Sequence, residues 1–176
     1  MINANSLFIS AAIALSIILA YNYSYCSEAK PEDIVIKYYT ADSKGARLSW
    51  ETNNKVKSLV AWQEEPGWDV VFVVDTIGVN KINKIGSDYI VEVRYKVIGI
   101  LNGDDLLRFH FNELVDFMLV KESNSWKIKQ PIIPPHVSVL SLKEHLKHLI
   151  SIESNETRTS VLQDLVERLD NLGSQH

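Results

Sequence analysis

Between Tyr89 and Ile98 the chain alternates without a break, with Tyr89, Val91, Val93, Tyr95 and Val97 on one side and Glu92, Arg94 and Lys96 on the other. A side-chain period of two belongs to the β-strand, so this segment is expected in a sheet with one dry face and one wet face. A dry face needs a cover, and the rest of the sequence must supply it. Upstream, Val70-Val71-Phe72-Val73-Val74-Asp75-Thr76-Ile77 is β-branched and apolar on both faces, as in a strand covered on both sides. A short strand through Val79, Ile82 and Ile85 is expected next, before Gly86-Ser87-Asp88 turns the chain. Past the turn at Asn102-Gly103-Asp104-Asp105, Phe109 to Lys121 reads as a long strand. Ser123-Asn124-Ser125 folds it back onto Trp126-Lys127-Ile128-Lys129 as a hairpin.

Helices flank this strand region. Lys30-Pro31-Glu32-Asp33 starts one, with proline in the first turn, two acids facing the positive end of the dipole, and an apolar period in Ile34, Val35, Tyr38 and Tyr39. Gly45 ends it. A second helix is predicted from Ser49 through Val56, Leu59 and Val60 to Trp62, and Glu64-Glu65-Pro66-Gly67 breaks it. Pro131, Pro134 and Pro135 exclude helix and central strand, so the segment to Val139 is expected to cross the surface extended. Two helices close the chain, Ser141 to Ser151 and Glu156 to Leu172, the latter with Val161, Leu162, Leu165, Val166, Leu169 and Leu172 on one stripe. Helices, then consecutive antiparallel strands, then helices describe an α+β fold in one domain.

The first charged side chain is Glu28, and Leu7–Ala20 before it is uncharged and apolar. We read residues 1–29 as an export signal, with cleavage after Cys26 or after Ala29, or as an uncleaved N-terminal anchor. Extended through Tyr21–Cys26, the uncharged run reaches the ~20 residues needed to span a bilayer. Cys26 is poorly placed for lipid attachment, because Tyr23 and Tyr25 occupy the positions where that processing wants an aliphatic and a small residue. The expected location is extracytoplasmic, periplasmic or secreted, or membrane-anchored facing away from the cytoplasm. Cys26 is the one cysteine in 176 residues, so no disulfide framework is available and the fold must rest on its core. With 18 Lys and Arg against 22 Asp and Glu, the net charge of −4 does not suit a nucleic-acid surface.

The Tyr38-Tyr39 pair in the first helix, Gly45-Ala46-Arg47-Leu48, a Trp-bearing second helix, Pro66-Gly67-Trp68-Asp69, and a meander ending Phe117-Met118-Leu119-Val120-Lys121-Glu122 then Trp126-Lys127-Ile128 together resemble the NTF2-like superfamily. The resemblance covers residues 31 to 140. It implies N-terminal helices wrapped by a strongly curved antiparallel sheet, forming a cone with an apolar pocket. It carries no single activity, since that superfold hosts isomerases, dehydratases, transport factors, secretion-machine subunits and binding modules. The expected organisation is residues 1–29 as signal or anchor, 30–140 as the NTF2-like domain, and 141–176 as a helical extension offering a partner surface.

Asp75 interrupts an apolar strand, and Asp116 shares a strand face with Leu114, Met118 and Val120. A carboxylate inside an apolar cone has a raised pKa and can act as a base toward a carbonyl compound, with His110 as a partner. The same residues also fit a wet sheet face. His136, His145 and His148 suggest a metal site, but the spacing lacks the Glu-bearing i, i+4 helix arrangement, and no metal or cofactor is expected. Trp50, Trp62 and Trp68 precede the sheet, and Trp62, Trp68 and Tyr95 are the candidate ligand contacts at the cone mouth. The expected function is a non-enzymatic exported domain that binds a small apolar ligand or a protein partner. The alternatives are a membrane-anchored assembly subunit of an envelope complex, self-associating through Leu162, Leu165 and Leu169, and an isomerase or lyase using Asp75 or Asp116.

Overall fold

The structure, a computed structural model, describes residues 29–173. The export stretch falls on residues 1–28 and lies outside the described residues. Among those described, no helix is long and apolar enough to cross a membrane.

Helix α1 is Pro31–Ser43. Pro31 opens it, and the Asp33 carboxylate accepts from the Lys30 backbone N–H at 3.2 Å. It stops at Gly45, whose φ of 77° suits a residue without Cβ, while Gly45 N–H and Ala46 N–H bind the Asp42 and Ala41 carbonyls. Helix α2 is only one turn, Asn54–Lys57, where the sequence predicted a helix from Ser49 to Trp62. Ser49 bonds the Thr52 hydroxyl instead of capping a helix. Beyond Ser58 the chain is captured by the sheet: Ala61 N–H binds the Ile128 carbonyl and Ile128 N–H binds the Leu59 carbonyl.

Strands β1 (Val70–Ile85), β2 (Asp88–Asn102), β3 (Asp105–Glu122), β4 (Ser125–Gln130) and β5 (His136–Ser138) form one sheet in the order β4-β3-β2-β1-β5. β1 to β4 are an antiparallel meander. β1 runs unbroken to Ile85, absorbing the separate short strand expected there, and its register with β2 shifts near Val74 and Val79. The β3–β4 hairpin turns on Ser123 and Asn124, both at positive φ, as a two-residue turn requires. The proline segment does not simply cross the surface. It ends in β5, parallel to β1, with His136 and Val137 fully buried.

α1 contacts both β4 and β5, the two outer strands of the sheet. Strands pack ~4.8 Å apart, so in a flat sheet those edges lie ~19 Å from each other, wider than a helix of ~10–12 Å. The sheet therefore curls around α1, and the shifts of register in β1 help bend it. This α+β architecture agrees with the cone that the NTF2-like resemblance implies, with one full N-terminal helix inside it rather than two.

Helices α3 (Val139–Ile152) and α4 (Glu156–Gly173) cover part of the opposite sheet face. There are thus two cores. Val74, Val91, Val93, Tyr95, Val97, Val115 and Phe117 pack on α1, while Val73, Ile98, Leu106 and Val137 pack on Leu142, Leu146, Leu162, Leu165 and Leu169. Adjacent Val73 and Val74 face opposite cores, as the doubly apolar sequence of β1 predicts. The Leu162, Leu165 and Leu169 stripe is buried within the chain, so it does not present the self-association surface expected of it.

Candidate functional site

Two features stand out, a buried polar cluster inside the cone and a cleft beside it. The cluster begins with Arg47, just after the glycine that ends α1. Its side chain is fully buried, and its donors are all directed inward: Nη1 lies 3.3 Å from Asp42 Oδ2, Nε 2.9 Å from Glu65 Oε2, and Nη2 2.6 Å from the Ile133 carbonyl. Glu65 also accepts from the Trp62 indole N–H at 3.4 Å. Asp42 Oδ2 accepts the His136 backbone N–H at 3.0 Å, tying α1 to β5. Burial pushes the Asp42 carboxyl above its ordinary value, against the opposing pull of Arg47 and of that N–H. Burial also opposes the Arg47 charge, but Asp42, Tyr38 and Glu65 outweigh it and hold the guanidinium protonated.

His136 reaches across the cone. Its Nδ1 lies 2.8 Å from the Pro134 carbonyl, which only accepts, so Nδ1 carries a proton. Its Nε2 lies 2.8 Å from Glu113 Oε2 on β3, with β1 and β2 between the two strands. The imidazole rests on Phe72 and Tyr95, at 4.9 and 4.3 Å between ring centroids. Burial first, and then the Asp42 charge, raise the Tyr95 hydroxyl well above 10.0, and that hydroxyl and Asp42 Oδ1 have no hydrogen-bond partner among the described residues.

Arg47, Glu65 and Trp62 also form one wall of a cleft of about 630 Å³. That volume falls within the ~300–1,000 Å³ of small-molecule sites. The segment between α1 and β1 supplies Trp50, Trp62 and Trp68. The floor is aliphatic, from Leu48, Val71 and Leu101 on one side and Leu142, Leu146 and Leu165 of α3 and α4 on the other. Trp50 is 81% exposed at the rim, with Lys57 Nζ 4.5 Å from its ring centre. His145 lines the cleft too, its pKa lowered by burial and then by His148.

Of the candidate ligand contacts, Trp62 and Trp68 lie on this cleft. Tyr95 does not: it is fully buried under His136 inside the cone. Asp75 points away from the cone and pairs with Lys96 Nζ at 2.7 Å in partial solvent. Asp116 and His110 are exposed on β3, so neither carboxylate has the apolar surroundings that would make it a base. The reason is the strand period: Asp75 and Asp116 fall on the face whose neighbours are Lys96 and Glu92. His136 lies in the core and His145 on the cleft, and no group of His, Cys, Asp or Glu suited to a metal ion occurs among the described residues. Asp42, Arg47, Glu65 and Glu113 escaped sequence reasoning because each looks like an ordinary surface charge. Only Arg47, within Gly45-Ala46-Arg47-Leu48, carried a signal.

No protein-family model matches the chain, and no curated protein matches it. Among solved structures it is similar to a Campylobacter jejuni protein described as an NTF2-like transpeptidase, with 14% identity over 58% of this chain and 100% of that one. The TM-score of 0.30 is too low for that likeness to carry a functional argument.

Proposed function

We propose that this protein is an exported, non-enzymatic binding module that holds a small, largely apolar ligand in the cleft between the Trp-bearing segment and helices α3 and α4. One observation carries the reading: three of the four tryptophans lie on one cleft floored by leucines. Indoles give large contact area with little conformational entropy to lose, and an indole as exposed as Trp50 gains most when a ligand covers it. The fixed Arg47–Glu65 pair gives that wall a rigid polar side. The isomerase or lyase alternative rests on Asp75 and Asp116, which lie in water, and the NTF2-like arrangement by itself selects no chemistry.

The test is native mass spectrometry of the protein taken from the extracytoplasmic fraction of its own host, followed by titration with lauric acid and 1-anilinonaphthalene-8-sulfonate. A co-purifying small molecule, or saturable quenching of tryptophan emission that Trp50→Ala weakens severalfold without changing thermal stability, is the expected result. A ligand-free protein whose emission and melting temperature neither probe moves would sink the reading.

A further inference from the structure

β3 is longer than the strand that covers its outer side. It runs Asp105–Glu122, while β4 pairs with it only over Met118–Glu122. The Leu106 carbonyl is taken by Arg168 Nη2 at 2.6 Å, so the open edge runs from Leu107 to Phe117, with no strand beside it among the described residues. Unpaired edges invite another strand, and proteins blunt them with lysine, proline or brevity. The other edges here are blunted: β4 carries Lys127 and Lys129, and β5 is three residues long behind Pro134 and Pro135. The open stretch of β3 has neither lysine nor proline, and it exposes Leu107, Phe109, Phe111 and Leu114 by 40% to 54%.

The charges on this edge choose its occupant. Asp116 lies beside Glu92 of β2, two like charges across one strand pair, and Arg108 stands exposed eight positions earlier on the same strand. The register with β2 breaks between Arg108 and Phe111 and is regular from Phe111 on. Laid antiparallel on a copy of itself with Asn112 at the axis, the strand sets Arg108 of each copy opposite Asp116 of the other, and Phe109 opposite Val115. The two Phe111 rings become diagonal neighbours beside the axis. We propose that a second copy of this chain pairs with the first along this edge, as a two-fold symmetric dimer that continues the sheet from one molecule into the next. This is independent of what the cleft binds, and the buried stripe of α4 takes no part in it.

Sedimentation velocity on the protein purified after full-length expression in its own host tests this, with charge reversals at the edge. The expected result is a dimer that Arg108→Asp or Asp116→Arg each weakens about tenfold and the double reversal restores. Asn112→Cys in a Cys26→Ser background supplies a second reading. Residues facing each other across an antiparallel pair have Cα atoms ~4.5–5.5 Å apart, within disulfide reach, so mild oxidation should link the dimer covalently. A monomer at every concentration, or a dimer that ignores both reversals and does not link through position 112, overturns the proposal.

Discussion

Arg47 turns its donor fork wholly inward, onto two carboxylates and a backbone carbonyl, and joins α1, the Trp-bearing segment and the proline segment at one point. Removing one member of a buried ionic set leaves the others uncompensated, which costs more than the set contributes when whole. Arg47→Met should therefore lower stability by ~3–5 kcal/mol, because Asp42 stays buried without its cation. Urea unfolding should show it as a lower midpoint at unchanged slope. By contrast Asp75→Asn, which breaks an exposed pair with Lys96, should move that midpoint little. The alternating pattern showed in advance which side of β2 is dry, but it gave no sign that Asp42 and Arg47 would meet inside. Those residues are neighbours in sequence only because Gly45 turns the chain sharply enough to bring the guanidinium back over the end of α1.

The elements follow local rules where local forces suffice. α1 has its proline, acids and glycine stop, and β2 has its period, and each forms within a few residues of its expected bounds. α3 and α4 likewise follow their apolar stripes. The second helix fails because Leu59 and Ala61 have carbonyl and amide partners on Ile128, and backbone bonds to a sheet replace those of a weakly helical segment. β5 was unreadable for the related reason that its partner is β1, more than fifty residues away in sequence. Where α4 meets β2, the contact is close enough to depend on one hydrogen: a Cβ on Gly99 would lie 2.9 Å from Leu172 Cδ2 and 3.2 Å from the Leu107 carbonyl oxygen. The side chain can shift but the carbonyl cannot without disturbing β3. Gly99→Ala is expected to destabilise by ~1–3 kcal/mol, measured by thermal unfolding, whereas Gly67→Ala, with open space around it, should be near neutral.

On the scale of the molecule, the helical extension is part of the fold. α3 and α4 bury Val73, Ile98, Leu106 and Val137 on the sheet face that α1 does not reach, and they supply one wall of the cleft. A chain ending at Ser138 should therefore lose cooperative unfolding and bind 1-anilinonaphthalene-8-sulfonate through its uncovered face. A sharp melting transition in that truncation would show the two cores to be independent. The sequence by itself determined the fold class, the dry side of the sheet, the limits of most elements and the two apolar helices at the end, because hydrophobic period and capping act over a few residues. Only the tertiary structure decided that Asp75 and Asp116 face water, that Tyr95 lies under His136, and that Trp62 and Trp68 share a cleft with leucines from α3 and α4. Those outcomes depend on how far the sheet curls around α1 and on what lands on its other face, and both are set by contacts between residues far apart in the chain.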